Sequence, residues 1–389
     1  MEFINRITEA GDSLKIISEL LLGVEGDFDL GILYVCPGSS YEPLELFQAI
    51  KAQGKIRHLI CCTCAGIIGG KHEIEGRPSA SIMLMRLPQV KIVPFIVSQP
   101  VLESIKVKED WYNFFDVYPN ENPSFLVFAD PFAFDGNAFL AGLNRAYPQR
   151  PVVGGLASGA SQPGENTLIL DGEVMREGLV GVCLTGNLRV ETIVSQGCRP
   201  IGETFIVTKA QRNIVYELAG RPFYNVLEEV LSKTTDYDRE LAREAIFMGI
   251  AMNEYKDKFQ RGDFLIRAVM GVDPKSGAGA VGDHMRVGQT VQFHLRDAKT
   301  ANEDLHELLK QYRTKKQVTA AHGAFVFSCN GRGFNLFKEQ DHDIRIIQQY
   351  LGPVPAAGFF CAGEIGPVGG INFLHGFTNS MALFYPQQL

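Results

Sequence analysis

The sequence predicts an α/β fold in which strand–loop–helix–strand units recur and form mixed sheets in two domains. Three stretches carry that reading. Cys64-Ala65-Gly66, Ala157-Ser158-Gly159 and Cys361-Ala362-Gly363 align with one another, and each closes an apolar run that reads as a buried strand. Around each lies the same order of a strand, a polar loop, a helix and a later strand. The spacing from loop start to glycine is also similar, 30 residues from Cys36 to Gly66, 29 from Asp130 to Gly159 and 34 from Cys329 to Gly363.

In chain order, Phe3, Ile7, Ala10, Leu14, Ile17 and Leu21 fall at steps of four and three, which predicts helix over 1–22. The first unit follows, with strands at Leu30–Val35 and Ser81–Arg86 and a helix near Pro43–Lys51, which Ser39 and Ser40 could cap. The second unit has strands at Phe125–Ala129 and Leu179–Leu184 and a helix near Asn137–Tyr147. Within it, Leu168–Leu170, Asp171-Gly172 and Val174–Met175 read as a hairpin. Arg189–Gln211 is β-rich. Leu218–Leu231 turns into a helix, Asp238–Ala251 reads as another, and Phe264–Val272 with Val287–Leu295 reads as a hairpin over a long loop. After a helix at Asn302–Tyr312, the third unit has strands at Ala324–Ser328 and Met381–Tyr385 and a helix near Asp341–Leu351. The chain divides into a helical segment (1–28) and two domains (29–220 and 221–389).

Composition bounds the function. With 37 basic and 44 acidic residues the formal charge is −7, which disfavours nucleic acid and a polybasic membrane contact. No run of 18 apolar residues exists, so no transmembrane helix is expected. Met1–Glu9 lacks the basic start and apolar core of an export signal, and eight cysteines then suggest free thiols in a reducing cytoplasm. Cys61, Cys62 and Cys64, with His58 and His72 nearby, lack the second ligand pair of a structural zinc site, so no metal is expected. Neither polar loop in the first two units matches a phosphate-binding or dinucleotide fingerprint, and no cofactor is expected.

Several motifs together carry a family resemblance. They are Thr63–Gly66 (TCAG), Gly197–Ala210 (GCRPIGETFIVTKA), Gly220–Pro222 (GRP), Phe327–Gly333 (FSCNGRG) and Gly358–Pro367 (GFFCAGEIGP), the last followed by His375 and Thr378. In this order the chain resembles the FIST family, sensory proteins with paired FIST N and FIST C domains. The resemblance implies an intracellular module that binds small molecules, amino acids among them, and passes the signal to a protein partner. Met1–Gly26 is too short for the F-box of eukaryotic members, which implies a stand-alone sensor.

Ligands in open α/β sheets sit beyond the carboxyl ends of strands. That rule selects Thr63, Cys64, Asp130, Asn330, Arg332, Glu364, His375 and Thr378 as candidate ligand-binding residues. Arg332 could grip a ligand carboxylate bidentately, and Glu364 or Asp130 could hold an ammonium. Each has a structural alternative. Glu364 could pair with Arg332, Asp130 could organise the turn at Pro131, and His375 could be a core histidine. Two other function classes compete. Cys64, Cys329 or Cys361 with His322 or His375 could form a Cys–His hydrolase or acyl-transfer site, with Glu364 orienting the histidine. The N-terminal stripe could instead serve a protein-interaction scaffold. The expectation is a non-catalytic sensor of a small polar metabolite.

Overall fold

The computed structural model describes residues 1–38, 41–315 and 320–387, so Ser39 and Ser40 lie outside the described residues. It is α/β with mixed sheets, and the repeated unit is fuller than the sequence reading. The first repeat runs β1 (Glu2–Thr8), α1 (Ser13–Leu20), β2 (Phe28–Cys36), α2 (Pro43–Gln53), β3 (Ile56–Thr63), β4 (Gly66–Gly69), β5 (His72–Glu75) and β6 (Ser79–Arg86). The second runs β7 (Val90–Val97), α3 (Gln99–Ser104), α4 (Lys108–Phe115), β8 (Ser124–Ala129), α5 (Gly136–Ala146), β9 (Val152–Leu156), β10 (Leu168–Leu170), β11 (Glu173–Met175) and β12 (Leu179–Gly186).

The third repeat opens with β13 (Arg189–Gln196) and is then interrupted by β14 (Cys198–Gln211), β15 (Ile214–Leu218), β16 (Arg221–Pro222), α6 (Phe223–Ser232), α7 (Asp236–Glu244), β17 (Phe247–Ala251), β18 (Phe264–Asp273), β19 (Ala278–Val281) and β20 (Thr290–Arg296). It resumes with α8 (Ala298–Lys315), β21 (Gly323–Cys329), α9 (Gly333–Phe337), α10 (His342–Leu351), β22 (Ala356–Cys361), β23 (Glu364–Val368), β24 (Ile371–His375) and β25 (Thr378–Tyr385).

Two compact units result, and both are interleaved along the chain. One comprises Met1–Val194, His306–Leu374 and Thr378–Leu389, the other Ser195–Leu305 and His375–Phe377.

In the first unit the three repeats build three six-stranded sheets of one design, ordered β1-β6-β2-β3-β10-β11, β7-β12-β8-β9-β23-β24 and β13-β25-β21-β22-β4-β5. The pairs β2–β3, β8–β9 and β21–β22 are parallel. The crossovers are helical, α2 and α5 in the first two and α9 with α10 in the third, as is usual for parallel pairs. The two strands that finish each sheet come from another repeat. The hairpin β10–β11 adds to β3 through Leu168 and Cys62, β23 adds to β9 through Glu364 and Gly155, and β4 adds to β22 through Ile68 and Gly358. Every repeat therefore lends its hairpin to a neighbour, so none can complete its sheet alone. Asp171-Gly172 forms the β10–β11 turn with positive φ at both residues, as the sequence predicts.

The core confirms the repeat. Tyr34, Phe128 and Phe327 occupy the same register position, two residues before the loop starts at Cys36, Asp130 and Cys329. They meet in one aromatic cluster with Phe359. Tyr34 lies 5.7 Å from Phe128 and 5.1 Å from Phe359, and Phe128 lies 6.1 Å from Phe327. Such pairs add about 0.5–1.5 kcal/mol beyond burial of their area. Close backbone contact also sets residue choice. A Cβ on Gly358 would stand 1.7 Å from the Val326 carbonyl, and one on Gly154 would stand 1.8 Å from that of Val127.

Three expectations are corrected. Residues 2–8 form a strand, not a helix. β1 completes an edge against β6, with Phe3 packed on Phe384 at 5.5 Å, and the helical spacing of its apolar residues is incidental. Asp238–Ala251 is only partly helical, because Ala245 turns extended (φ −163°) and Phe247–Ala251 becomes β17. Finally, β18 and β20 do not pair with each other, since β17 lies between them and bonds to both. In the second unit a β14–β15 pairing closes the run β14-β20-β17-β18-β19-β15 into a ring. Its core includes Phe223 of α6, 5.5 Å from Phe293.

Candidate functional site

In the first unit the parallel strands end close together. The turns that follow β3, β9 and β22 place Ala65, Ser158 and Ala362 at their tips, partly or fully exposed. Ser158 ties the three repeats together. Its hydroxyl accepts the Ala65 N–H (3.0 Å) and donates to the Phe360 carbonyl, while its own N–H donates to the Thr63 carbonyl (3.3 Å). The Ala362 N–H reaches the Leu156 carbonyl (3.1 Å).

Two depressions open beside these turns. One, of about 540 Å³, is lined by Glu73, Glu75 and Arg77 from β5 and its exit, and by Asn330, Phe334, Asn335 and Gln340 from the loop region after β21; Ala65 and Phe360 also line it. The other, of about 670 Å³, is lined by Pro131, Phe132, Ser158, Ser161, Glu165 and Ala362, and again by Asn330. Asn330 is the side chain common to both. Its own N–H is held by the Cys361 carbonyl (2.9 Å), so the strand end fixes where it stands. Polar groups converging in concave openings of this size are the usual form of a small-molecule site.

Of the eight residues selected from sequence, Asn330 is exposed and lines these openings, and the other seven are buried. Thr63 makes three hydrogen bonds with Thr167: its hydroxyl receives the Thr167 N–H at 2.8 Å, and its hydroxyl (3.3 Å) and N–H (3.0 Å) both donate to that residue's carbonyl. Cys64 lies with its sulfur 3.9 Å from that of Cys36, and burial pushes its thiol well up. Asp130 caps the loop that follows it, its Oδ1 accepting the N–H groups of Phe132 (2.9 Å) and Ala133 (2.8 Å). His375 is buried in the second unit.

Arg332 corrects one expectation: among the described residues its ion-pair partner is Asp343, not Glu364. Its guanidinium is 1% exposed and bound bidentately to Asp343, Nε to Oδ2 at 2.7 Å and Nη2 to Oδ1 at 3.0 Å. Asp343 also receives Asn379 Nδ2 (3.0 Å) and meets His342 Nδ1 (2.9 Å). Burial works against the Asp343 carboxylate, but the Arg332 charge and these bonds hold it well below the usual range.

Glu364 is instead bound by Thr378, whose N–H (3.0 Å) and hydroxyl (2.8 Å) both donate to Oε2. A side-chain hydrogen bond with Cys329 also favours the charged form of Glu364. Burial pushes the carboxyl up to about 8, even though the two Thr378 bonds and the Arg332 charge pull the other way.

Among the described residues no group of three His, Cys, Asp or Glu side chains is disposed to hold a metal ion. His58 and His72, weighed from sequence as metal ligands, meet Asp171 (2.7 Å) and Asp341 (3.3 Å). No helix among the described residues is long and apolar enough to cross a membrane.

Comparison with known proteins places this architecture. Residues 29–221 match the FIST N domain and residues 224–367 the FIST C domain. The chain belongs to the FIST family. An uncharacterized protein of Mycobacterium tuberculosis (strain CDC 1551 / Oshkosh) is 37% identical to this FIST protein over 359 residues, 91% of each chain. An uncharacterized protein of Mycobacterium bovis is 37% identical over 332 residues, 84% of this chain and 82% of its own. A shorter match, 30% over 97 residues, links it to an uncharacterized protein of Methanocaldococcus jannaschii. FIST domains are associated with signal transduction and small-ligand sensing.

The residues of this FIST protein that line the first opening are largely absent from the sequence selection. Glu73 and Glu75 alternate with the core residue Ile74 in His72–Glu75, so both acids share one face of β5. The signal was the His-Glu-Ile-Glu alternation before Gly76. It needed a strand assignment at β5, which lies between the glycine turn and the strand predicted at Ser81.

Proposed function

We propose that this FIST protein recognises a small polar metabolite, with amino acids the first class to test, at the openings that share Asn330, and that it passes the bound state to a protein partner. The observation that carries the reading is convergence. The carboxyl ends of three strand pairs meet, and the side chains around the openings are amides, hydroxyls and acids, Asn330, Asn335, Gln340, Ser158 and Glu75 among them. In the reading proposed here Asn330 contacts the ligand. Thr63, Asp130, Arg332, Glu364 and Thr378 position the strand ends from beneath.

The proposed role is non-catalytic. A thiol nucleophile needs thiolate character and access. Burial pushes the Cys64 and Cys361 thiols well up. Cys36 is drawn down by the hydrogen bond with Cys64, but it is only 3% exposed. His322 is bonded to the Met1 carbonyl (2.9 Å). Eight free cysteines fit a reducing cytoplasmic setting.

The test is a thermal-shift screen of the full chain against amino acids, small carboxylates and amines, with Asn330→Ala in parallel. A ligand present at 100 times its dissociation constant stabilises by about 2.7 kcal/mol, which moves the midpoint by several degrees. A shift that Asn330→Ala removes supports the reading. A shift unchanged in that variant, or none across the panel, contradicts it.

A further inference from the structure

We propose that the opening lined by β5 and the Asn330–Gln340 segment takes a cationic amine, a diamine or a basic amino acid, and that Glu73 and Glu75 receive its ammonium. The inference rests on the reading of these openings as a ligand site.

Glu73 is the deepest acid of the opening. It is 9% exposed, and its Oε1 accepts the Ile344 N–H at 2.8 Å. Its Oε2 is buried and has no hydrogen-bond partner among the described residues. A buried carboxylate oxygen without a donor is costly, and an ammonium, with three donors, is the group that would satisfy it. Burial, and then the nearby Asp343 charge, pushes the Glu73 carboxyl well up, a penalty that an incoming cation would offset. Glu75 stands two residues along the same face and is half-buried. Its Oε1 accepts the Phe334 N–H at 2.8 Å. The loop is built closely around that carboxylate, because a Cβ on Gly333 would stand 2.3 Å from it and Gly333 also adopts φ +62°.

Charge gives the sign of the ligand. Among the described residues the charged side chains lining the opening are Glu73, Glu75 and Arg77, and Arg77 is already paired with Glu9, Nε to Oε2 at 3.0 Å. Asn330, Asn335 and Gln340 add neutral amides. Phe334, 49% exposed, offers a ring face of the kind that attracts cations. A carboxylate entering here meets two acids and an engaged arginine. An excess positive charge meets their complement.

The experiment titrates putrescine, lysine, alanine and succinate into the full chain by calorimetry and thermal shift, at matched ionic strength. It repeats the titrations with Glu73→Gln and Glu75→Gln. Binding of putrescine or lysine at least about tenfold tighter than alanine and succinate, and weakened about tenfold or more by Glu75→Gln, is the expected result. Putrescine against lysine separates the diamine from the basic amino acid. Glu75→Gln keeps the test valid should the buried Glu73 variant fold poorly. Alanine or succinate binding in an Asn330-dependent way without the amines would overturn this inference and leave the proposed function standing. Amine binding untouched by Glu75→Gln, or stabilisation matched by sodium chloride, would overturn it too. Absence of binding by all four compounds would overturn this inference, and absence across the wider panel would remove the proposed function with it.

Discussion

Glu364→Gln should make this protein more resistant to alkaline conditions. The wild-type carboxyl is fully buried and raised from an ordinary 4.5 to about 8. A raised acid favours the folded state fully below the unfolded value and loses that advantage as pH climbs through the folded value. Each tenfold change in proton affinity is worth about 1.4 kcal/mol, so the wild type forfeits about 3 kcal/mol between pH 4.5 and 7 and about 5 kcal/mol by pH 9. Glutamine resembles the protonated acid, keeps an oxygen for the Thr378 N–H and hydroxyl, and does not titrate. The two proteins should therefore unfold at similar midpoints at pH 4.5 to 5. Glu364→Gln should lead by about 10 °C at pH 9, at the 2–4 °C per kcal/mol typical of larger domains. Differential scanning calorimetry across pH 5–9 reads this directly. Parallel midpoint curves for the two proteins over that range would show that Glu364 does not carry the penalty argued here.

Other perturbations probe the frame. Asp343→Asn strands the buried Arg332 charge and should cost about 3–5 kcal/mol in denaturant unfolding; a loss below about 1 kcal/mol would mean the pair is not isolated from water. Gly358→Ala and Gly154→Ala each force a Cβ into the carbonyl of the neighbouring strand and should cost about 3 kcal/mol or more, seen as a large drop in melting temperature or in soluble yield. Tyr34→Phe removes a hydroxyl buried at the repeat centre without a hydrogen-bond partner among the described residues, and should raise stability by about 1 kcal/mol in the same unfolding assay.

How much of this was readable beforehand depends on distance along the chain. The strand, helix and turn within each repeat are local features, and the apolar runs and the Asp171-Gly172 turn follow from composition and spacing. The lending of hairpins among repeats is not local. Nothing in Ile67-Ile68 says that β4 belongs beside β22 rather than its own sheet, since any exposed edge offers the same backbone donors and acceptors. The interruption after β13 hid in the same way, because a linear division of the chain cannot express one unit set inside another. For the site, polarity was a weak guide. The Asp, Thr and Arg side chains that suit a ligand also suit loop ends, and Asp130, Thr63 and Arg332 serve the latter. Arg332 looked toward Glu364 because both stand in glycine motifs, yet its partner Asp343 is eleven residues ahead on α10. That Asn330 lines both openings follows from the rule that a polar loop after a strand end faces the crevice. That Glu73 and Glu75 line an opening is not legible without the β5 strand that carries them.

The most direct measurement is hydrogen exchange by mass spectrometry, with and without the compound that stabilises the chain most in the thermal-shift screen. Ligand recognition at the strand ends predicts slowed exchange in Glu73–Arg77 and Asn330–Gln340, with little change in the ring of strands β14–β20. Protection confined to that ring, with the Asn330 segment unaltered, would contradict it.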